Sequence, residues 1–463
     1  MPRATSLTLA GLAVTLACLG YAALAFSQAL TPRAMPRPAL PAILLTQPIA
    51  DDVPNVEQLR RGQYLVRAGD CAACHTPDNG PPFAGGYGLN TPFGVIYSTN
   101  LTSDPETGIG RMSPETFYAA LHNGVGPKGA QMYPAMPYNY YTRVARADTD
   151  AMLAYLKTTP PVVARRPANK LMFPFNIRFL VKGWNLLFFR PGTFTPDPGK
   201  SAEWNRGAYL VTGLGHCGSC HTPKNFLAGD KTRQPLHGGK LDNWISPDLT
   251  ANPRTGLGSW SHQDIGEYLK TGRNTRANAG GPMAEVVSYS TSLLADADLR
   301  AIAVYLKDQP ASPTRAVAAP DAAAMRRGEA IYSDACASCH LLKGVGQSRT
   351  FAPLAGNAVL QQSDPTGLAH LILAGSRTAP TATRPSALSM PSFAWKLTDQ
   401  QIADVSTYVR NSWGNQAPSV SARTVADMRT RLDLKTVRLT DNSGDHPARA
   451  ASPASPGRSA TQP

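Results

Sequence analysis

The sequence predicts a mainly α protein of three tandem domains, each wrapped around a covalently attached group. Three observations carry that expectation: a length of 463 residues, six cysteines in three copies of one five-residue pattern, and a helical pattern around an aromatic position that closes each copy. A chain of this length with 42% hydrophobic residues fills two or three cores of ordinary size more readily than one. Its 41 prolines and 39 glycines require long irregular stretches between helices, as in domains where a bound group replaces part of the core.

The chain opens with Met1, Pro2 and Arg3, followed by a nearly uncharged apolar run from Leu7 to Leu30 that contains Cys18. Residues 1–30 read as a signal peptide, with Ala23-Leu24-Ala25 as the small-x-small cleavage site, or as an uncleaved membrane anchor. Both readings place the rest of the chain outside the cytoplasm, in the periplasm of a bacterium.

Cysteine spacing decides the class. Apart from Cys18, the cysteines fall in Cys71-Ala-Ala-Cys74-His75, Cys217-Gly-Ser-Cys220-His221 and Cys336-Ala-Ser-Cys339-His340. Three disulfides would leave the histidine after every pair unexplained, and a zinc site would need further Cys or His pairs at ligand spacing. The pattern is that of c-type haem attachment. Two thiols three positions apart on one helical turn reach the haem vinyl groups as thioethers, and the adjacent imidazole points at the iron. Three haem c groups are expected, attached at Cys71, Cys74, Cys217, Cys220, Cys336 and Cys339, with His75, His221 and His340 as proximal ligands.

Methionine supplies candidates for the sixth iron position, which would give an electron carrier rather than an open, reactive iron. Met390 is the only methionine between His340 and the last strong helical pattern and Met283 the only one between His221 and the end of its module, whereas the first module offers Met112, Met132, Met136 and Met152. An internal repeat sorts these. Arg61-Gly-Gln-Tyr-Leu-Val matches Arg206-Gly-Ala-Tyr-Leu-Val, and Asn100-Leu-Thr…Thr107-Gly-Ile-Gly parallels Asp248-Leu-Thr…Thr255-Gly-Leu-Gly, after which Met112 stands where Trp260 stands. Met112 is then core. Met136 lies 61 residues beyond its proximal histidine and Met283 lies 62 beyond its own, so Met136 is the register-matched ligand and Met132 the alternative.

The expected domains are residues 55–160, 201–310 and 321–415. They close on Ala154-Tyr155-Leu156-Lys157, Val304-Tyr305-Leu306-Lys307 and Thr407-Tyr408-Val409-Arg410, with Asp296 or Asp298 and Thr398 or Asp399 as helix N-caps in the second and third. His122, His237, His262 and His370 hold no common position across the modules and are read as ordinary surface or capping histidines; His216 is too near Cys217 to reach the distal side of its own haem. The linker 161–200 contains an acid-free aromatic and basic segment, Leu171 to Arg190, suited to a membrane interface, to a partner subunit, or to packing as a helix between two haem modules. The linker 311–320 is Ala/Pro-rich, and residues 416–463 read as a polar, disordered tail.

The formal charge is +14, but no Lys/Arg run interleaves with aromatics in a nucleic-acid motif, so nucleic acid is not expected as a partner. Six haem propionates would leave about +8, which favours an acidic partner surface or anionic lipid. No Ser/His/Asp set, no suggestively spaced carboxylate pair and no nucleotide-binding glycine motif is present.

The three haem motifs, together with Gly69-Asp-Cys-Ala-Ala-Cys-His-Thr, Tyr133-Pro-Ala-Met136-Pro-Tyr, Phe173-Pro-Phe-Asn-Ile-Arg, Trp204-Asn-Arg-Gly and Gly281-Pro-Met283-Ala-Glu, resemble the three-haem cytochrome c subunit of membrane-bound bacterial dehydrogenases over residues 55 to 415. That family serves alcohol, gluconate, sorbitol, fructose and aldehyde dehydrogenases. The resemblance implies three cytochrome c domains and a relay function. A separate large subunit holding pyrroloquinoline quinone, flavin or molybdenum would pass electrons through this chain to ubiquinone or a terminal oxidase, at the outer face of the cytoplasmic membrane. It also implies Met136, Met283 and Met390 as axial ligands. The competing function is a self-contained haem enzyme, a peroxidase or sulfur-compound oxidising cytochrome with one open iron; a methionine in every module argues against it.

Overall fold

The computed structural model describes residues 47–314 and 316–435. The export or anchor segment 1–30, and the tail beyond 435, lie outside the described residues. Three helical modules follow one another along the chain.

In the first, α1 (Val56–Ala68) leads into the short α2 (Cys71–His75), the hairpin β1 (Gly88–Thr91) and β2 (Gly94–Tyr97), then α3 (Pro114–Asn123), α4 (Tyr138–Tyr141) and α5 (Arg146–Leu156). The linker adds β3 (Lys170–Leu171), antiparallel to β2, and α6 (Leu180–Phe188). The second module repeats the plan with α7 (Ala202–Tyr209), a π-helical turn over Leu210–Leu214, α8 (Gly218–His221), the hairpin β4 (Gly239–Leu241) and β5 (Trp244–Ser246), α9 (His262–Thr271), α10 (Pro282–Tyr289) and α11 (Asp296–Lys307). The third has α12 (Ala322–Ala335), α13 (Ala337–His340), α14 (Thr366–Ala374), the strand pair β6 (Ser376–Arg377) and β7 (Ser389–Met390), α15 (Asp399–Asn411) and α16 (Ala422–Arg431).

One device recurs three times. The first helix of each module crosses the closing helix at a glycine so tightly that a Cβ on Gly62 would stand 1.9 Å from the Ala151 carbonyl oxygen, on Gly207 1.9 Å from that of Ala301, and on Gly328 2.3 Å from that of Asp404. Only glycine permits that approach. The arginine before each glycine binds a carboxylate on the closing helix: Arg61 with Asp148, Arg206 with Asp298 at 2.7 and 2.8 Å, and Arg327 with Asp404 at 2.7 and 3.0 Å.

Modules 1 and 2 share one apolar cluster, in which Leu65, Leu156 and Phe83 pack with Leu210, Leu214 and Leu306. Module 3 has its own cluster around Tyr332, Leu373 and Ile402. The repeat seen in the sequence is a repeat of caps as well. Ser113 caps α3 and Ser261 caps α9, each accepting a backbone N–H three residues on, and Gly124 and Gly272 end the two helices in left-handed conformation.

Three expectations need correction. Asp296 and Asp298 do not cap α11; its N-cap is Ala295, and Asp298 is drawn inward by Arg206. Thr398, by contrast, caps α15 in a full capping box with Gln401. The tail is ordered at its start: Ser421 caps α16, and Val425, Met428 and Leu432 make an i, i+3, i+7 stripe against module 3. Arg429, 1% exposed, fixes it by bonds to Asp399 and to the carbonyls of Ala394 and Leu397. The polar composition hid a single apolar stripe and one buried guanidinium. Finally, His370 is neither at the surface nor a cap. It is buried on α14 and packs at a tilt against Trp244 of β5, with ring centroids 4.1 Å apart.

Candidate haem sites

Each attachment motif begins at or just before a short helix. Cys71 to His75 form α2, and His221 and His340 end α8 and α13. In all three, the motif imidazole is held by its Nδ1 against one backbone carbonyl: His75 to Thr99 at 2.7 Å, His221 to Pro247 at 2.7 Å and His340 to Ala352 at 2.9 Å. An Nδ1–H donated to a carbonyl fixes the tautomer whose Nε2 carries the lone pair, which is what an axial ligand needs. Burial lowers the pKa of all three histidines, only partly opposed by the carbonyl contact, so the rings are neutral.

No disulfide joins the six motif cysteines. Burial pushes the thiols of Cys71 and Cys217 up to about 12 and that of Cys336 to about 11, so they are held as neutral thiols rather than thiolates.

The second and third motifs open into one cavity of about 660 Å³. Cys217, Cys220, His221 and Met283 stand on its wall together with Cys336, Cys339, His340 and Met390, with no partition between the two sets. The remaining wall is mostly apolar, including Trp244, Leu257, Ile265, Leu371 and Phe393, while Arg276 and Arg377 also border it. Protein interiors are close-packed and do not keep voids of this size empty. Two apolar, planar groups carrying acidic side chains fit the walls, the thiols and the two guanidinium groups. The residues present therefore fit haem c.

The methionines singled out in the sequence differ in their surroundings. Met152 is buried in the α5 core and Met112 packs against the shared cluster. Met136, partly buried, packs against the same cluster as Cys71. Met132 contacts the Gly126 turn instead. Met390 lies on β7 opposite Ser376.

The first motif lies against the second. Ala68 and Asp70 reach the wall of the shared cavity, and the Asp70 charge raises the pKa of both Cys71 and Cys220, behind burial in each case. The His216 ring packs at a tilt against Tyr141, with centroids 5.3 Å apart, and Tyr141 donates to the Gly69 carbonyl at 2.6 Å, so the loop before Cys217 and the loop before Cys71 share one aromatic seam.

Several residues that build this arrangement escaped the sequence reading. Tyr64 of module 1 donates to Asp298 of module 2 at 2.5 Å, and Tyr209 of module 2 donates to Asp148 of module 1 at 2.6 Å. Each tyrosine oxygen also accepts the backbone N–H of the other module's N-cap residue, Ala295 or Ala145, at 3.2 Å. The two modules cap each other's closing helices. The Arg-Gly-x-Tyr repeat carried the signal, since it places the same tyrosine in both modules.

Comparison with known proteins agrees with this geometry. Residues 59–160 and 325–413 match the cytochrome c family, covering the first and third modules. The chain is 42% identical over 396 residues to the cytochrome c subunit of the quinone alcohol dehydrogenase of Gluconobacter oxydans, spanning 80% of this chain and 82% of that protein. It is 39% identical to the gluconate 2-dehydrogenase cytochrome c subunit of Pantoea cypripedii, over 82% of this chain and 91% of that one. It is likewise 39% identical to the fructose dehydrogenase cytochrome subunit of Gluconobacter japonicus, over 80% and 82%.

Proposed function

Because the chain belongs to the family of dehydrogenase cytochrome c subunits, and so is an electron-transfer subunit that carries covalent haem c, we propose that it holds three haems and relays electrons from a large dehydrogenase subunit to ubiquinone or a terminal oxidase. The partner would hold pyrroloquinoline quinone, flavin or molybdenum and oxidise an alcohol, aldehyde, gluconate or polyol. The relay would work at the periplasmic face of the cytoplasmic membrane.

The thioether residues would be Cys71 and Cys74, Cys217 and Cys220, and Cys336 and Cys339; the axial pairs would be His75 with Met136, His221 with Met283 and His340 with Met390. Haem supplies a one-electron iron couple, and everything else is the chain's work. The carbonyls of Thr99, Pro247 and Ala352 hold the imidazoles neutral and aimed. The thioethers of Met136, Met283 and Met390 would supply the second protein ligand to each iron, which would leave no position for substrate and favour the reduced state. Apolar walls exclude water, and Arg276 and Arg377 would answer the propionates.

The observation that supports this reading is the shared cavity, whose walls carry the second and third Cys-x-x-Cys-His motifs together with Met283 and Met390. Groups bound there would lie side by side, an arrangement for passing electrons between them. The test is to purify the protein from its own membranes with its complex intact and follow haem absorbance while adding alcohols, aldehydes, gluconate and polyols. Co-purification of a dehydrogenase subunit and reduction of the haems by one substrate class supports the relay. A cytochrome that purifies alone and binds peroxide or a sulfur compound at iron refutes it.

A further inference from the structure

The longest acid-free stretch of the described chain runs from residue 151 to 196 and carries seven Lys or Arg. At its centre α6 sits across modules 1 and 2. Trp184 donates its indole N–H to the Leu227 carbonyl at 2.8 Å, and Asn185 accepts from Tyr138 at 2.5 Å. Val181, Trp184 and Phe188 face inward, and Phe188 packs onto Gly229. The positions left over, Phe179, Gly183, Leu186, Leu187 and Arg190, follow helical spacing on one outward face.

That outward face is apolar where a solvated helix would be polar. Phe179 is 71% exposed, Leu186 75% and Leu187 63%, with Phe173 79% exposed before the helix and Phe226 86% exposed on the loop that Leu227 ties to it. Side chains of this size left in water cost free energy, and gathered on one small region they mark a surface that is covered in use. Arg178, Lys182 and Arg190 surround it. Arg178 donates to the Gln131 carbonyl, Lys182 lies over the Phe179 ring, and Arg190 donates to the Leu186 and Phe189 carbonyls. Among the described residues none of these three pairs with a carboxylate.

We propose that this face of α6, with Phe173 and Phe226, lies in the headgroup region of an anionic phospholipid bilayer. The proposal rests on the membrane-side location given above and names the surface responsible. Phenylalanine and leucine projecting from one side of a short helix, ringed by Lys and Arg with no acid, is the pattern of a helix lying in the interface plane. A protein partner's interface core would instead be depleted of lysine, whereas here Lys182 lies over the Phe179 ring. At nine residues α6 is far too short to span a bilayer, and no helix among the described residues is long and apolar enough to do so.

The test uses the full-length holoprotein with Leu187→Cys carrying a nitroxide, in a Cys18→Ser background, mixed with vesicles of phosphatidylglycerol and phosphatidylcholine. Leu187 points outward, so the label leaves packing intact, and an unchanged haem spectrum verifies the fold. The label is expected to gain accessibility to dissolved oxygen severalfold over accessibility to a water-soluble nickel chelate, and to lose that gain when phosphatidylglycerol is omitted. A second label at Phe226→Cys must report the same. A label that stays water-exposed on vesicle-bound protein overturns the proposal, since an anchor elsewhere would then hold the protein. So does a label protected only when the dehydrogenase subunit is added. Neither result touches the relay reading, which substrate reduction of the haems tests separately.

Discussion

Modules 1 and 2 are capped by each other, whereas module 3 caps itself. In the first pair the aspartate that anchors the Arg-Gly crossing takes its third hydrogen bond from a tyrosine of the other module, Tyr209 on Asp148 and Tyr64 on Asp298. In module 3 the equivalent carboxylate, Asp404, takes it from Gln400 of its own helix at 3.0 Å, and the N-cap is the threonine of a capping box. The position matching Tyr64 and Tyr209 is Ala330. Module 3 is joined to module 2 by other means: Arg349 with Glu267, Lys240 with Asp364 at 2.8 Å, Gln362 with the Thr255 carbonyl at 2.7 Å, and the common cavity wall. The same haem-binding plan thus serves as half of a fused pair or as a separate unit, according to where one hydrogen bond comes from.

The sharpest way to disturb the pair is at its crossing. Gly207→Ala drives a methyl into the Ala301 carbonyl and should cost about 3 kcal/mol in urea unfolding followed by haem absorbance. Next, Asp298→Asn leaves Arg206 and Tyr64 without their anion and should cost about 2 kcal/mol, lowering the transition of modules 1 and 2 together. Asp404→Asn should lower that of module 3 alone. If both variants shift one common transition equally, the distinction between fused and separate units is wrong.

Smaller effects isolate the tyrosines. Tyr64→Phe and Tyr209→Phe should each cost about 1 kcal/mol, and a double-mutant cycle of Tyr64 with Asp298 should show coupling, whereas one pairing Ala330→Tyr with Asp404 should show none.

The smallest effect is in pH dependence. Burial alone would raise the Asp298 carboxyl, but bonds from Arg206 and Tyr64 outweigh it and hold the group below the usual carboxylate range. Its contribution is complete above the unfolded value of about 4 and disappears as pH falls through the lower folded value. Burial, and then the bond to Asp298, push the Tyr64 hydroxyl up to about 12, so its contribution is complete below about pH 10 and is lost between there and 12. Stability scans of the parent and Tyr64→Phe should coincide in shape at neutral pH and diverge above pH 10.

The three Cys-x-x-Cys-His motifs, the order of three helical modules and the Thr398 cap were legible because each depends on residues close in sequence. The tyrosine caps were not legible as contacts, because Tyr64 and Asp298 are far apart in the chain and become partners only when two modules meet. Asp298 looked like a local cap for the same reason. The helix at Ala422–Arg431 was missed because its apolar stripe is three residues wide and its arginine, buried among carbonyls, counts as polar in any composition. His370 was taken for a surface residue because Trp244, which covers it, belongs to another module.

The central claim is that three haems are covalently attached to one chain, each with its own histidine. It is tested most directly by weighing the unfolded, acid-extracted holoprotein by mass spectrometry and counting haem by pyridine haemochrome against the same protein concentration. The account predicts the polypeptide plus three haems, falling by one in each of the double variants Cys71→Ala/Cys74→Ala, Cys217→Ala/Cys220→Ala and Cys336→Ala/Cys339→Ala. A parent chain that retains two haems, or a variant that keeps the parent mass apart from the substituted side chains, would contradict it.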